Sequence, residues 1–136
     1  MATTRTSTIF ADEKTAARVI PITAATTLDD NASSGVFTLG LATGVAINLP
    51  APVAGFKARF IVKAAFATTA YTIVAPTAVI YGGVIVNSVN VPAAAKQTIS
   101  LSASAETIGD WVEVVSDGTN YYVSGVGTAA ASITFP

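Results

Sequence analysis

The clearest fold signal in this chain is the stretch WVEVVSDGTNYYV at residues 111–123. Two runs rich in β-branched and aromatic residues, 111–115 and 121–123, flank a polar segment at 116–120. Within that segment Asp117-Gly118 supplies residues that readily adopt positive φ, as a tight turn between antiparallel strands requires. The stretch therefore predicts a β-hairpin.

Comparable signals lie upstream of this hairpin. Residues 45–49 alternate apolar and small or polar side chains with the period of two that marks a half-buried strand. They follow residues 36–41 across the three-residue loop 42–44, which predicts a second hairpin. Residues 59–65 alternate in the same way, with Phe60 and Val62 on one face.

Short strand-like runs continue along residues 19–123, with regular turn signals and almost no helical periodicity. Gly82-Gly83 predicts a bulge or a tight turn between runs at 79–81 and 84–86. We expect an all-β fold, a single β-sandwich or barrel of about eight short antiparallel strands. Residues 19–136 form this domain, and residues 1–18 form an extended N-terminal arm.

The chain carries unusually little charge. Charged residues make up 11% of its 136 residues, against about 25% in an average soluble domain. No charge occurs from Ala64 to Ala95, but prolines and glycines interrupt this run, which favours strands over a membrane helix. Burial against other subunits explains the low charge, and we predict a homo-oligomer, most simply a trimer, with no membrane partner.

The charges that do occur are unevenly placed. A basic cluster lies at residues 57–63 and an acidic run at residues 106–117. The two patches either meet across a subunit interface or are solvated strand faces. The net charge of −1 provides no general attraction for nucleic acid, and we predict no nucleic-acid partner.

Few residues are available for catalysis. Histidine and cysteine are absent, which removes the usual nucleophile pairs and most transition-metal ligands. Asp29-Asp30 belongs to a turn or to half of a calcium site. Glu106, Asp110 and Glu113 are candidates for the carboxylate pair of a glycosidase, but they lie on or beside the predicted exposed hairpin, which disfavours this role. We predict no enzymatic activity, no metal and no cofactor.

The aromatic residues of the hairpin allow two interpretations. Trp111 and one of Tyr121 and Tyr122 pair across the strands and cover the core, or the three form an exposed platform for a sugar. Stacking with nucleic-acid bases is disfavoured by the surrounding acidic charge.

The arm differs in composition from the domain. Its first ten residues are rich in threonine and serine, yet they include the adjacent Ile9 and Phe10. A solvated tail needs no such apolar pair, so we assign partner binding to Arg5, Ile9, Phe10 and Arg18. The alternative is a frayed terminus.

Two segments carry a resemblance to a known group of proteins. They are INLPAPVAGFKARFIVK at residues 47–63 and GDWVEVVSDGTNYYVSG at residues 109–125. Together they resemble small virion proteins of tailed bacteriophages, and are most similar to capsid decoration (cement) proteins and to the heads of phage fibres. No catalytic residues accompany this resemblance.

The resemblance implies a function. A decoration protein is a β-rich trimer on the outer capsid surface of the virion, where it binds the major capsid protein and stabilises contacts between capsomers. The alternative is a fibre or spike domain that binds a glycan or protein on the host surface. The least favoured of the three functions is that of a glycan hydrolase.

Overall fold

A computed structural model describes residues 18–136, which form two mixed β-sheets. In this part of the chain the only helix is a single 3₁₀ turn, Asp30–Ala32. The prediction of an all-β fold is therefore confirmed for residues 18–136. The strands are β1 Arg18–Ile22, β2 Thr26–Thr27, β3 Gly35–Leu39, β4 Ala46–Asn48, β5 Lys57–Val62, β6 Tyr71–Val74, β7 Ile80–Val86, β8 Val89–Lys96, β9 Thr98–Leu101, β10 Trp111–Ser116, β11 Tyr121–Gly127 and β12 Ile133–Thr134.

The first six strands alternate between the two sheets. The seven-stranded sheet has the order β1-β3-β5-β10-β11-β7-β8, and the five-stranded sheet has the order β12-β9-β6-β4-β2. Strands β1, β3 and β5 are parallel to one another, as are β2, β4 and β6. The chain thus places one strand in each sheet in alternation, so that strands which neighbour each other within a sheet run in the same direction.

The prediction of about eight antiparallel strands is wrong in number for residues 18–136, and wrong in direction for the pairings that are parallel. The predicted hairpin around residues 42–44 is also wrong, because β3 and β4 belong to different sheets. Gly44 instead packs on the loop before β6, where its amide donates to the Thr69 carbonyl at 3.1 Å. A period-two pattern identifies a strand but does not identify its partner.

The hairpin at residues 111–123 is confirmed. Strands β10 and β11 are antiparallel, with Trp111 opposite Val126 and Val115 opposite Tyr122. In the turn, the amides of Thr119 and Asn120 each donate to Oδ1 of Asp117 at 2.8 Å. Hydrogen bonds from the Asn120 amide, the Thr119 amide and the Tyr122 hydroxyl hold the pKa of Asp117 below its ordinary value.

Buried side chains of both sheets form one hydrophobic cluster. Phe37 of β3 stacks on Phe60 of β5 with ring centroids 5.4 Å apart. Phe66 meets Tyr71 of β6 edge to face, with centroids 4.7 Å apart. Along β5 the predicted alternation is confirmed, because Ala58, Phe60 and Val62 are all buried. The largest buried side chains are Tyr71, Tyr121, Phe60, Phe66, Leu39, Ile47, Ile73, Ile80, Ile99, Leu101, Ile133 and Val62.

The two buried tyrosines each have a hydrogen-bond partner for the hydroxyl group. The Leu41 amide donates to the Tyr71 hydroxyl at 2.8 Å, and the Tyr121 hydroxyl donates to the Pro50 carbonyl at 2.7 Å. Burial, with a smaller contribution from the negative charge of Asp30, raises the pKa of Tyr121 to about 12. Tyr121 thus links the strand that follows the hairpin turn to the loop after β4.

Gly82-Gly83 lies inside β7, which is one continuous strand rather than two strands around a turn. The register shift beside it places the extra residue on β8, because Ile80 pairs with Lys96 and Gly82 pairs with Ala93. Gly82 has φ +114°, and a Cβ atom there would lie 2.5 Å from the Val123 carbonyl oxygen of β11. The residue therefore needs both the left-handed conformation and the missing side chain.

We predict that Gly82→Ala destabilises the domain by roughly 2–5 kcal/mol, because it combines positive-φ strain with a backbone clash. Gly40→Ala is the control, since a Cβ there meets the Lys63 side chain at an ordinary 3.5 Å. Urea unfolding of both variants measures the difference. Equal midpoints for the two variants would contradict this account of Gly82.

We predict that Tyr121 makes the protein labile to alkali. Its raised pKa means that the contribution is complete below pH about 10, where free tyrosine ionises, and is lost as the pH rises towards 12. In Tyr121→Phe the fall in unfolding free energy between pH 8 and pH 11.5 becomes smaller than in the wild type. Parallel pH profiles for the two proteins, measured by denaturant unfolding, would refute this assignment.

Candidate functional site: the outer face of the seven-stranded sheet

Side chains along the seven-stranded sheet alternate between the core and the opposite face, here called the outer sheet face. Strand register aligns one series of outward residues directly across six strands. Within those six strands this series, the apolar row, contains a single polar side chain, and the residue next in register on β8 is the polar Asn90. Its members are Pro21, Thr38, Ile61, Trp111, Val126 and Ile85.

Two further rows lie beside the apolar row. The central row is polar in its middle and consists of Val19, Val36, Arg59, Glu113 and Ser124. The tyrosine row consists of Lys57, Val115, Tyr122 and Tyr81. The outer sheet face is thus a strip of charged and polar groups between two apolar margins.

Large apolar side chains are concentrated on this face. Nine such residues are exposed in the described part of the chain, and six of them lie on the outer sheet face. The six are Val19, Tyr81, Ile85, Val115, Tyr122 and Val126. Single exposed apolar residues are normal, whereas a contiguous group marks a surface that contacts another molecule.

The charges at the centre of the face are paired within the chain. Arg59 Nε donates to Glu113 Oε2 at 3.2 Å, and Lys57 Nζ lies 3.9 Å from the same oxygen. The Arg59 guanidinium also lies 4.3 Å from the centre of the Trp111 ring, a cation–π contact. Here the basic cluster and the acidic run meet inside one protein chain.

A shallow groove of about 340 Å³ runs over β3, β5 and β10 on this face. Its walls combine apolar and charged groups, with Val36 and Ile61 beside the Arg59–Glu113 pair. A groove of this composition suits contact with a mixed polar and apolar surface.

The three carboxylates considered for glycoside chemistry have separate structural partners. Asp110 is buried, and its oxygens accept from the Thr107 amide at 3.0 Å and from the amide and hydroxyl of Thr128 at 2.9 Å. Oε1 of Glu106 accepts from the Phe66 amide at 2.9 Å. Glu113 points the other way, on the outer sheet face.

Asp29-Asp30 forms a turn. The Asp29 side chain caps the 3₁₀ helix and accepts from the Asn31 amide at 2.9 Å. Residues 18–136 contain no group of three or more residues placed to hold a metal ion.

The aromatic residues of the hairpin divide between core and surface. Tyr121 is fully buried, as the core interpretation requires. Trp111 does not pair with a tyrosine, because its cross-strand neighbour is Val126. Tyr122 and Tyr81 are neighbours on the outer sheet face, and the Tyr122 hydroxyl donates to Asp117 Oδ2 at 2.8 Å.

Of the four predicted partner-binding residues, Arg5, Ile9 and Phe10 lie outside the described residues. Arg18 lies in β1, where its guanidinium donates to the carbonyl oxygens of Asn31 and Ser33. Arg18 therefore connects β1 to the 3₁₀ turn within the domain.

The outer sheet face as a whole was missed by sequence reasoning. The sequence did carry a signal for it. In residues 111–115 and 121–126, large apolar side chains occur both at positions that face the core and at positions that face outward. A strand with one face in solvent normally has polar residues at the alternate positions that face outward.

No family model matches the chain, and searches of curated proteins and of solved structures find no significant match. No helix within residues 18–136 is long and apolar enough to cross a membrane.

We predict that Asp110 stabilises the folded domain. Asp110→Ala leaves the amides of Thr107 and Thr128 without their acceptor and should lower the unfolding free energy by about 2–4 kcal/mol. Glu113→Gln, which weakens a partly exposed ion pair, should cost less than about 1 kcal/mol. Denaturant unfolding of both variants checks the contrast, and a larger loss for Glu113→Gln would contradict it.

Proposed function

We propose that this chain is a non-enzymatic structural protein of a virion, a capsid decoration protein. It binds the major capsid protein on the outer capsid surface and stabilises contacts between capsomers, and it associates with itself as a homotrimer. The observation that carries this proposal is the outer sheet face, with its six exposed large apolar residues.

The face argues for assembly because its two margins expose apolar side chains on a chain that has little charge to keep them in solution. Charged residues make up 11% of the chain, and the central charges of the face are already paired. Covering this surface removes apolar area from water, which is favourable by roughly 25 cal/mol per Å². A protein used as a subunit gains this energy on assembly.

We further propose that the two sheets pack face to face as a β-sandwich. Support comes from the single cluster formed by the buried residues of both sheets. A sandwich presents one rigid sheet surface to a partner, which suits a mechanical role better than a mobile loop surface does.

The N-terminal arm provides a second contact in this proposal. Burial of Ile9 and Phe10 contributes about 3–6 kcal/mol in total. Each residue that becomes ordered costs about 1–2 kcal/mol, so this burial offsets the ordering of only a few residues. Main-chain hydrogen bonds to the partner supply part of the remainder. Three arms on one trimer supply the rest, since multivalent binding raises apparent affinity by about 10²–10⁴.

The second candidate is a fibre or spike domain that binds a host surface. Two observations favour it. The alternation of β1–β6 between two sheets follows the winding of a β-solenoid, an architecture that extends along one axis. The exposed Tyr81 and Tyr122 are adjacent, as in an aromatic platform for a sugar ring.

The decisive experiment is co-sedimentation with undecorated capsids. Deletion of residues 2–17 retains Arg18, which β1 uses, and should leave the fold intact while reducing capsid binding at least a hundredfold. The double substitution Ile9→Ser and Phe10→Ser should reproduce most of this loss. Thr3→Ser with Thr4→Ser is the matched control and should bind as the wild type does.

Other results would reject parts of the proposal. Undiminished binding of the deletion variant would place the capsid contact on the domain instead of the arm. Failure of the full chain to bind capsids, together with binding to host cell-surface glycans, would favour the fibre or spike function.

A further inference from the structure

We infer that the outer sheet face packs against a second copy of this chain. The inference rests on the self-association in the proposed function and goes beyond it by assigning the surface. In a trimer the contact is head-to-tail, so the face of each copy packs against a different surface of the next copy. Its evidence is the size of the face, the state of the sheet edges and the arrangement of charge.

The outer sheet face is large enough for a stable contact. The three rows hold 15 outward residues, and each occupies about 33 Å² at a strand spacing of about 4.8 Å and a rise of about 3.4 Å per residue. With the side chains included, the area is roughly 600 Å². Each partner buries about this much at the lower end of specific interfaces, which remove about 1,200 Å² in total.

The edges of the same sheet are poor sites for association. Strands β1 and β8 are the two edges, and each contains a proline, Pro21 and Pro92. Proline has no N–H to donate to an added strand, which is a common way in which edge strands avoid pairing. The face is therefore the better route to contact between copies.

The charges of the face permit contact with a second copy. Arg59 and Glu113 satisfy each other in the central row, so a second copy need not supply their partners. Lys57, whose side chain is 54% exposed, lies at one end of the tyrosine row and can keep its ammonium group in water at the rim. Only one cation is left over, which does not favour the phosphates of nucleic acid.

The test compares two valines of equal exposure. Val126 lies on the apolar row and Val53 lies in the loop between β4 and β5, and both are 42% exposed. The full-length wild type, Val126→Lys and Val53→Lys are examined by sedimentation velocity across a wide concentration range. Ile85→Lys is a second variant of the face, and circular dichroism with thermal melting shows which variants are folded.

We expect the wild type and Val53→Lys to associate equally, and folded Val126→Lys and Ile85→Lys to associate at least tenfold more weakly. Trp111, the single tryptophan, lies beside Val126, so its emission should shift to shorter wavelength as the wild type associates. A strictly monomeric wild type would overturn the inference. So would undiminished association of both folded face variants, or a face that binds lipid vesicles as a monomer.

Capsid co-sedimentation of the same variants separates this inference from the proposed function. Self-association through another surface, with capsid binding retained, rejects only the assignment of the face. Intact self-association through the face without any capsid binding rejects only the decoration function.

Discussion

The pairing of β10 with β11 is the constraint on which the seven-stranded sheet depends. On one side β10 pairs with β5 and so holds the parallel strands β1, β3 and β5. On the other side β11 pairs with β7 and so holds β7 and β8. Gly125 permits the close approach, because a Cβ there would lie 2.4 Å from the Trp111 carbonyl oxygen. Without this hairpin the sheet would separate into two blocks, and the outer sheet face would lose its continuous rows.

The same hairpin shows how far the sequence is informative. Its turn chemistry is local, since Asp117 and Gly118 act within a few residues, and so residues 111–123 predicted it correctly. The partners of β3 and β4 depend on contacts with distant strands, which a local pattern does not encode, and there the predicted hairpin was wrong. The all-β class follows from composition and alternation, whereas the parallel winding follows from the path of the whole chain.

The candidate site was less accessible to prediction than the fold. Partner binding was predicted for Arg5, Ile9, Phe10 and Arg18 because their segment differs in composition from the rest of the chain. Apart from the hairpin strands, the outer sheet face has no unusual segment, since its rows are assembled from single residues of strands that are far apart in sequence. Ile61, Trp111 and Val126 become neighbours only through strand register. The full extent of such a surface can be recognised from sequence only when the strand order is known.

The order of strands also has a consequence for how the protein folds. The β10–β11 hairpin closes a short loop and can form within microseconds, whereas its partner β5 lies some fifty residues away in sequence. The parallel pairings among β1–β6 have no tight turn to nucleate them, and loop-closure entropy makes such contacts slow. During synthesis β5 emerges long before β10 and waits with one edge unpaired. This interval, in which an apolar strand is exposed, is when the chain is most prone to aggregation.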